Sequence, residues 1–593
     1  MKTNEIIQVL LYFGLLIVLA PLLGGFMARV FRGDRTFLSG MLGPVERGIY
    51  RLSGVDVTEE MSWKRYLGAL LLFNLIGFIS LWGLQMAQVW LPLNPQKFAN
   101  LAWHLAFNTA MSFTTNTNWQ AYSGESTMSY LTQMIGLAVH NFTSAATGLA
   151  VLLAIIRGLR RASARTIGNF WVDLTRSTLY VLLPLSVVVA LVLVSQGVVQ
   201  NFRAYPDAKL VESYTTQVPK TDASGNQVKD DKGNVVMVDQ KVETQSIPLG
   251  PAASQIAIKQ LGTNGGGFYG QNSAHPFENP TPLSNFVEML AILLVPMSLV
   301  YTFGAMVRDH RHAWVLFGVM LTLLVGGFGL AWWAETRPNP ALGHVSSLME
   351  GKETRFGVMN SVLWGTATTC TSNGSVDAMH DSFSPVAGFV TLANLMLGCI
   401  AFGGVGVGLT GFLMHVLLAV FIAGLMVGRT PEYLGKKIQG WEATWAIIAI
   451  LVPSLVILAG SAIASTVPVG LSSLNNQGPH GLSEIFYAYS SAAANNGSAF
   501  AGLNANTIFY NLTLGLAMLL GRFVPITAVL AIAGGFAAKK TVPPSVGTLP
   551  TNGLTFGLVL LGVVLIVAAL TFFPAMCLGP IVEHGLMLGG RVF

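Results

Sequence analysis

Charge is scarce in this chain of 593 residues: only 10% are Asp, Glu, Lys or Arg, against about 25% in soluble domains. That shortage excludes a fold whose whole surface faces water. Cysteine is scarcer still. Cys370, Cys399 and Cys577 are the only three and share no CxxC spacing, so neither a zinc ribbon nor a disulfide framework is expected. No Gly-rich loop ends in Lys-Ser or Lys-Thr, which excludes ATP binding by a Walker loop. The net charge of +6 could suggest a nucleic-acid partner, but the basic residues sit in short loops between apolar runs.

What the chain has is apolar length. It is 52% hydrophobic with a mean hydropathy of +0.58, the composition of a multi-pass membrane protein. Runs of about 20 apolar residues cross a bilayer. They fall near 6–27, 67–89, 128–156, 174–196, 284–306, 313–334, 385–428, 441–465, 506–537 and 552–574, predicting ten transmembrane helices in an all-α polytopic fold. The first run lacks a small-residue cleavage site and is followed by Arg29, Arg32 and Arg35, so it reads as a retained helix with its N-terminus outside. Ten crossings put both termini on the outer side. The proposed inner loops then hold 19 of the 33 basic residues, among them Arg157, Arg176, Arg308, Arg429 and Lys539. Six others lie in one long outer loop, 197–250, where acids match them and the charge rule does not apply. Its TDASGNQVKDDKGNVV reads as turns around a small hairpin or a flexible insert, without chemistry.

Four uncharged segments rich in Gly, Asn, Thr and Ser break this pattern: TTNTNWQ from Thr114, TNGGGF from Thr263, CTSNGS from Cys370 and ANNGSA from Ala494. Each follows a run too short to cross, at 99–113, 251–262, 355–369 and 481–494. Helices of that length reach about 20 Å, part-way through the hydrocarbon. The repeating order is helix, re-entrant helix, polar loop, helix. It defines units 67–156, 174–306 (with the insert 197–250), 313–428 and 441–537, flanked by 1–66 and 552–593. Four such units predict a single-chain pore with a pseudo-four-fold axis. Non-helical backbone at membrane depth leaves carbonyls unsatisfied, and a dehydrated cation can satisfy them. Gly265, Gly374 and Gly497 permit the backbone turns that this needs. The C-terminal ends of the re-entrant helices carry partial negative charge, which favours a cation over an anion. One such segment alone would be an ordinary turn; four in the same helical context point to a filter.

The segments FTTNTNWQAYSGE (from Phe113), GTNGGGF (from Gly262), TSNGS (from Thr371) and NNGSAFAGL (from Asn495) resemble the potassium-translocating subunit family of the bacterial Kdp P-type ATPase. The likeness covers essentially the whole chain. It implies potassium as the transported ion, and ATP hydrolysis by a separate P-type ATPase subunit with two small companion subunits in the same plasma-membrane complex. It implies no cofactor held by this chain. The family's filter positions carry over to Asn116, Thr117 and Asn118; Thr263, Asn264 and Gly265; Thr371, Ser372, Asn373 and Gly374; and Asn495, Asn496 and Gly497. Gln120 and Cys370 lie beside them. The sequence departs from potassium channels, which repeat Gly-Tyr-Gly in every loop. Here each loop keeps one central glycine and the first has none, so an imperfectly symmetric filter is expected.

Two features belong beneath the filter. The run Pro385 to Gly428 spans 44 residues, about 66 Å as one helix and twice the hydrocarbon thickness. Two crossings would put Lys436 and Lys437 outside, against the charge rule. Gly403, Gly404, Gly406, Gly408 and Gly411 lie within nine residues, so a helix broken at 403–411 by an intramembrane loop is predicted. That loop would gate the inward path, with close helix packing as the alternative. Arg522, mid-span, is expected to face the chamber under the filter and oppose cation leak; tethering of helix-end carbonyls is the alternative. Glu125, Glu278, Asp377 and Asp381 read as solvated surface acids, with attraction of cations at the outer mouth as the alternative, and His104, His140 and His415 as satisfied core histidines. The function implied is the ion-binding subunit of an ATP-driven potassium pump. A stand-alone or gradient-driven transporter of the same superfamily is the rival reading. A secondary transporter with inverted repeats fits less well, since the four units run in one direction.

Overall fold

The computed structural model describes residues 3–219, 236–343, 348–426, 428, 431–543 and 548–591. Among these, ten helices are long and apolar enough to cross a membrane. They are Thr3–Arg32, Trp63–Trp90, Thr132–Arg160, Phe170–Ser195, Pro282–Val307, His310–Glu335, Val407–Met426, Gly440–Ala464, Ile508–Ala538 and Leu554–Leu588. The four half-length runs form the short helices Trp103–Thr114, Ala252–Leu261, Gly357–Cys370 and Gly478–Ala493.

Position in the bundle follows side-chain size. Thr132–Arg160 runs through the interior, its strongest apolar window 83% buried, and presents Ala145, Ala146, Gly148 and Ala150 to its neighbours. Small residues let backbones approach where lipid supplies no hydrophobic drive. Thr3–Arg32 lies at the periphery, 17% buried, and exposes Ile7, Leu10, Leu11, Val18 and Leu22. It is held on Pro282–Val307 by Gly24, whose missing side chain admits the Ser298 carbonyl, and by Tyr12 Oη donating to Met289 O at 3.1 Å.

The run 385–428 is interrupted as expected, but the break begins and ends earlier than 403–411. Helix Pro385–Met396 ends at an irregular segment, 397–406, and the chain resumes as Val407–Met426. Gly403, Gly404 and Gly406 lie in the break, whereas Gly408 and Gly411 lie inside the second helix. The reason is packing. Gly403 sits against the Cα of Gly408 (an ideal Cβ would lie 2.7 Å away), so Gly408 serves a close approach rather than a turn. The last span also extends beyond the expected 574, through a kink at Gly579, to Leu588.

Among the described residues the fold is all-α apart from one antiparallel hairpin, Asp207–Pro219 with Met237–Ser246, bulged between Lys209 and Tyr214, and a two-residue ladder at 432–437. Residues 220–235, between these strands in the sequence, lie outside the described residues, as does Arg429. Two acids expected on the surface are buried instead: Glu278 is 0% and Asp377 1% exposed, because the loops carrying them fold back over the short helices. His104, His140 and His415 are satisfied, the last two by carbonyls four residues earlier at 2.7 and 3.1 Å.

At the basic end of the bundle Arg157 forms a two-pronged pair with Asp173, at 2.6 and 2.7 Å, and Tyr66 Oη donates to the same carboxylate at 2.8 Å. Removing one member of a buried pair strands the other. Asp173→Ala should therefore cost about 3 kcal/mol or more. The expected readout is a lower melting temperature of the detergent-purified protein, with little change for Glu59→Ala, whose partner Arg65 is exposed.

Candidate ion-binding site

Each short helix ends at the same hydrogen-bond pattern. The carbonyl of Ser112 accepts from Thr117 N at 2.9 Å, that of Lys259 from Asn264 N at 2.8 Å, that of Thr368 from Asn373 N at 3.2 Å, and that of Ser491 from Asn496 N at 2.8 Å. This aligns the four polar segments without reference to sequence identity. The residues on either side of each donor have left-handed backbone. They are Asn116 and Asn118 (φ 67° and 55°), Thr263 and Gly265 (49° and 78°), Ser372 and Gly374 (59° and 86°), and Asn495 and Gly497 (53° and 94°). Left-handed residues at alternate positions rotate the peptide planes, so successive carbonyls can face one side rather than alternating. Each costs about 1–2 kcal/mol for a residue with a side chain, and a β-branched Thr263 is the hardest to hold. Thr263 is restrained by its own hydroxyl, which donates to Gly262 O at 2.7 Å and accepts from Val405 N at 2.8 Å. Thr371 and Cys370 lie just before this pattern, at the helix C-cap and the last helical residue.

The four segments also touch in a closed ring. A Cβ on Gly265 would strike the Asn373 carbonyl, one on Gly374 the Asn496 carbonyl, and one on Gly497 the Thr117 carbonyl. Ser372 Oγ donates to Asn495 O at 2.5 Å, Asn495 Nδ2 to Thr117 Oγ1 at 2.9 Å, and Asn116 Nδ2 to Thr263 O at 2.9 Å. The first segment, which has no glycine, is accommodated from the other side. Asn118 occupies the position of the three glycines, as Asn tolerates left-handed backbone, and its Cβ meets Gly266 of the next segment. Two of the three glycines in TNGGG, Gly265 and Gly266, are thereby explained. Gln120 adds a second clasp between these segments, accepting from Gly267 N at 2.8 Å and donating to its carbonyl at 3.0 Å.

A family model described as the potassium-transporting ATPase A subunit matches residues 10–585. The chain belongs to that family. Among curated relatives it is 55% identical to the potassium-transporting ATPase potassium-binding subunit of Geotalea uraniireducens, covering 99% of this chain and 100% of the relative. Against the protein of the same description from Methylococcus capsulatus it is also 55% identical, over 100% of both. Among solved structures it resembles the potassium transporter TrkH from Vibrio parahaemolyticus, with a TM-score of 0.50 and 14% identity, covering 89% of this chain and 98% of that one. That likeness concerns the fold alone.

In this A-subunit chain the broken segment 397–406 lies against the ring. Gly404 packs on the Ser372 side chain, Val405 N donates to Thr263, and Gly406 meets the Gly148 backbone. A cavity of about 120 Å³ opens beside Ser372 and Asn495 and is lined by Gly404, Thr410 and Arg522. Arg522 is 3% exposed and has no ion pair among the described residues; its Nη2 donates to Ser144 O at 3.0 Å. It therefore faces the cavity and tethers a carbonyl at once.

Sequence reasoning missed the supports behind the ring. Ser144 Oγ donates to Asn116 Oδ1 at 2.7 Å, and Asn118 Nδ2 donates to Asn141 Oδ1 at 2.6 Å, from one helix turn of Thr132–Arg160. Lys259, fully buried, pairs with Glu278 and donates to Asn272 at 2.9 Å, while Asn272 Nδ2 donates to the Gly265 carbonyl at 2.8 Å. The signal in the sequence was the one charged residue of that short helix, Lys259. The packing of Asn118 on Gly266 gives a reciprocal test. Gly266→Ala should destabilise by about 1–3 kcal/mol through overpacking. Asn118→Gly in the same chain should recover most of that loss, measured as non-additive melting temperatures in a double-mutant cycle.

Proposed function

We propose that this chain is the potassium-binding, membrane-embedded subunit of an ATP-driven uptake complex. The observation that carries the proposal is the closed ring of four segments with left-handed residues at alternate positions. Such a ring can present backbone carbonyls to a shared axis, where they replace the water shell of a monovalent cation. The ion-binding residues are Asn116 to Asn118, Thr263 to Gly265, Thr371 to Gly374 and Asn495 to Gly497. The short helices act as re-entrant pore helices whose C-terminal ends point toward the ion. Units 67–156, 174–306, 313–428 and 441–537 surround a pseudo-four-fold axis, with both termini and the four loops on the outer side of the plasma membrane, as the basic inner loops favour. Potassium is the ion because the relatives of this length and identity are named as potassium-binding subunits.

ATP is hydrolysed elsewhere in this reading, by a P-type ATPase subunit accompanied by small companion subunits, since the relatives are named as the potassium-binding subunit of a potassium-transporting ATPase. The segment with Gly403, Gly404 and Gly406, and with Gly408 at its helical edge, closes the route directly beneath the ring. Arg522 opposes cations that pass it. Coulomb energy for a charge about 8 Å away at an effective dielectric near 20 is ~2 kcal/mol, enough to suppress leak by about tenfold or more. The fold likeness to TrkH keeps a stand-alone transporter as the second reading.

Reconstitution separates the two. Potassium uptake into vesicles should require ATP and the partner subunits; uptake by this chain alone down a potassium gradient would overturn the pump reading. Within the complex, Gly265→Asp should weaken apparent potassium affinity at least tenfold while leaving membrane insertion intact, since a side chain there displaces the Asn373 carbonyl. Arg522→Gln should raise ATP-independent leak by about tenfold. Unchanged leak with intact assembly would leave Arg522 only its tether to Ser144.

A further inference from the structure

The segment between the first two spans forms a helix, Ser39–Ser53, whose two faces differ. Gly43 and Tyr50 are buried against the bundle. The opposite side carries Met41, Val45, Ile49 and Leu52, whose spacing puts them on one stripe of a helix. These side chains are exposed, from 39% at Ile49 to 91% at Leu52, and Phe37 just before the helix is 81% exposed. Large apolar side chains gathered on so short a stretch mark an interaction surface rather than a face for water.

The anchors of this helix set its depth. Glu46 Oε1 accepts from Arg176 Nε at 2.8 Å and from Tyr50 Oη at 3.0 Å, and Glu46 Oε2 accepts from Tyr180 Oη at 2.7 Å. Phe37 packs its ring on Phe26, with 5.4 Å between centroids. Arg176 and Tyr180 lie about 9 and 15 Å along the span Phe170–Ser195, and Phe26 lies about 9 Å before the end of Thr3–Arg32. The span Phe170–Ser195 is about 39 Å long, close to the roughly 40–45 Å of hydrocarbon plus headgroups. The helix is therefore held beside the membrane boundary instead of projecting beyond it. Charge agrees with that place. Glu46 is the one acid of the helix, and Arg176 takes it. Arg35, Arg47 and Arg51 are exposed and pair with no carboxylate among the described residues. A hollow of about 500 Å³ beside the helix sets Arg35, Arg47 and Arg176 against Asp34 and Glu46, which leaves a net charge of +1.

We propose that Ser39–Ser53 is an interfacial helix that docks on anionic phospholipid, with Met41, Val45, Ile49 and Leu52 among the acyl chains and Arg35, Arg47 and Arg51 on the headgroups. An amphipathic helix with arginines beside its apolar stripe lies in the membrane plane, its apolar side about 5–10 Å into the boundary between headgroups and chains. Neutral lipid would satisfy the stripe alone. The unpaired arginines select a headgroup of net negative charge, and the single charge of a phosphodiester matches the hollow. A protein covering the stripe is the other occupant, and it would shield Leu52 from lipid. Phe37 and Glu46 connect the docked helix to Thr3–Arg32 and Phe170–Ser195, so lipid bound here braces the two spans against each other. The inference stands apart from the potassium reading. It needs only that these two helices cross the membrane, and its failure would leave the ring unaffected.

The test uses the full chain with its partner subunits, reconstituted in phosphatidylcholine vesicles. Leu52→Cys carries a fluorophore that bromine quenches, in a Cys577→Ser background because Cys370 and Cys399 are buried. Lipid with brominated acyl chains is then titrated in, either phosphatidylglycerol or phosphatidylcholine. At low salt, half-quenching should need about tenfold less brominated phosphatidylglycerol than brominated phosphatidylcholine, or less still. The preference should shrink as salt screens the arginines. Arg47→Gln, at an exposed position, should lower it by about fivefold, the loss of one charge near an anionic surface. Equal half-quenching fractions for the two lipids would overturn the proposal. So would an unchanged preference with Arg35, Arg47 and Arg51 all replaced by Gln. Absence of quenching by either lipid also refutes it, and assigns the stripe to a protein partner or to water. Where the label at position 52 disturbs assembly, Val45→Cys takes its place.

Discussion

The structure depends on how closely four stretches of backbone can approach one another. Three of the four contacts in the ring place a glycine Cα against the carbonyl of the next segment, where a Cβ cannot fit. The fourth reverses the arrangement, with Asn118 contributing the side chain and Gly266 the space. Interiors tolerate neither voids nor overlaps of a methyl group, so this interlock leaves the loops little freedom to drift. The left-handed residues that shape the loops are individually unfavourable. They persist because hydrogen bonds from Ser144, Asn272 and Val405, and one accepted by Asn141, over-determine them.

The rest of the bundle can be read as support for that ring. The most buried long helix, Thr132–Arg160, is the one that supplies Ser144, Asn141 and the Ser144 carbonyl held by Arg522. Its small residues permit contact with the broken segment, where Gly148 and Gly406 meet backbone to backbone. Large aliphatic residues are displaced to Thr3–Arg32 and other outer helices, where lipid accepts them at no cost. Two of the buried charges have a partner built in: Lys259 with Glu278 behind the second segment, and Arg157 with Asp173 at the basic end.

Much of this was legible in the residues. Apolar length located all ten long helices to within a few residues over most of their ends, because a bilayer imposes a nearly fixed length. The four half-length helices were legible for the same reason: a run of 12 to 15 residues cannot cross. Less legible was anything set by contact. The glycine cluster marked a break between 385 and 428, yet composition could not tell Gly404, which lies in the break, from Gly408, which packs inside a helix. Glu278 and Asp377 looked like surface acids because nothing local signals that a loop folds back over a neighbouring helix. Lys259 pairs with a residue 19 positions away through such a fold.

By itself, the sequence determined the helical membrane architecture, the number of long helices and the presence of four similar polar interruptions. Each follows from hydropathy and chain length, which are local quantities. Tertiary structure alone decided the order in which the segments touch, the exchange of side chain for space between Asn118 and Gly266, and the shared position of Arg522 beside the cavity. Those depend on distances between residues hundreds of positions apart, and no property of a single segment encodes them.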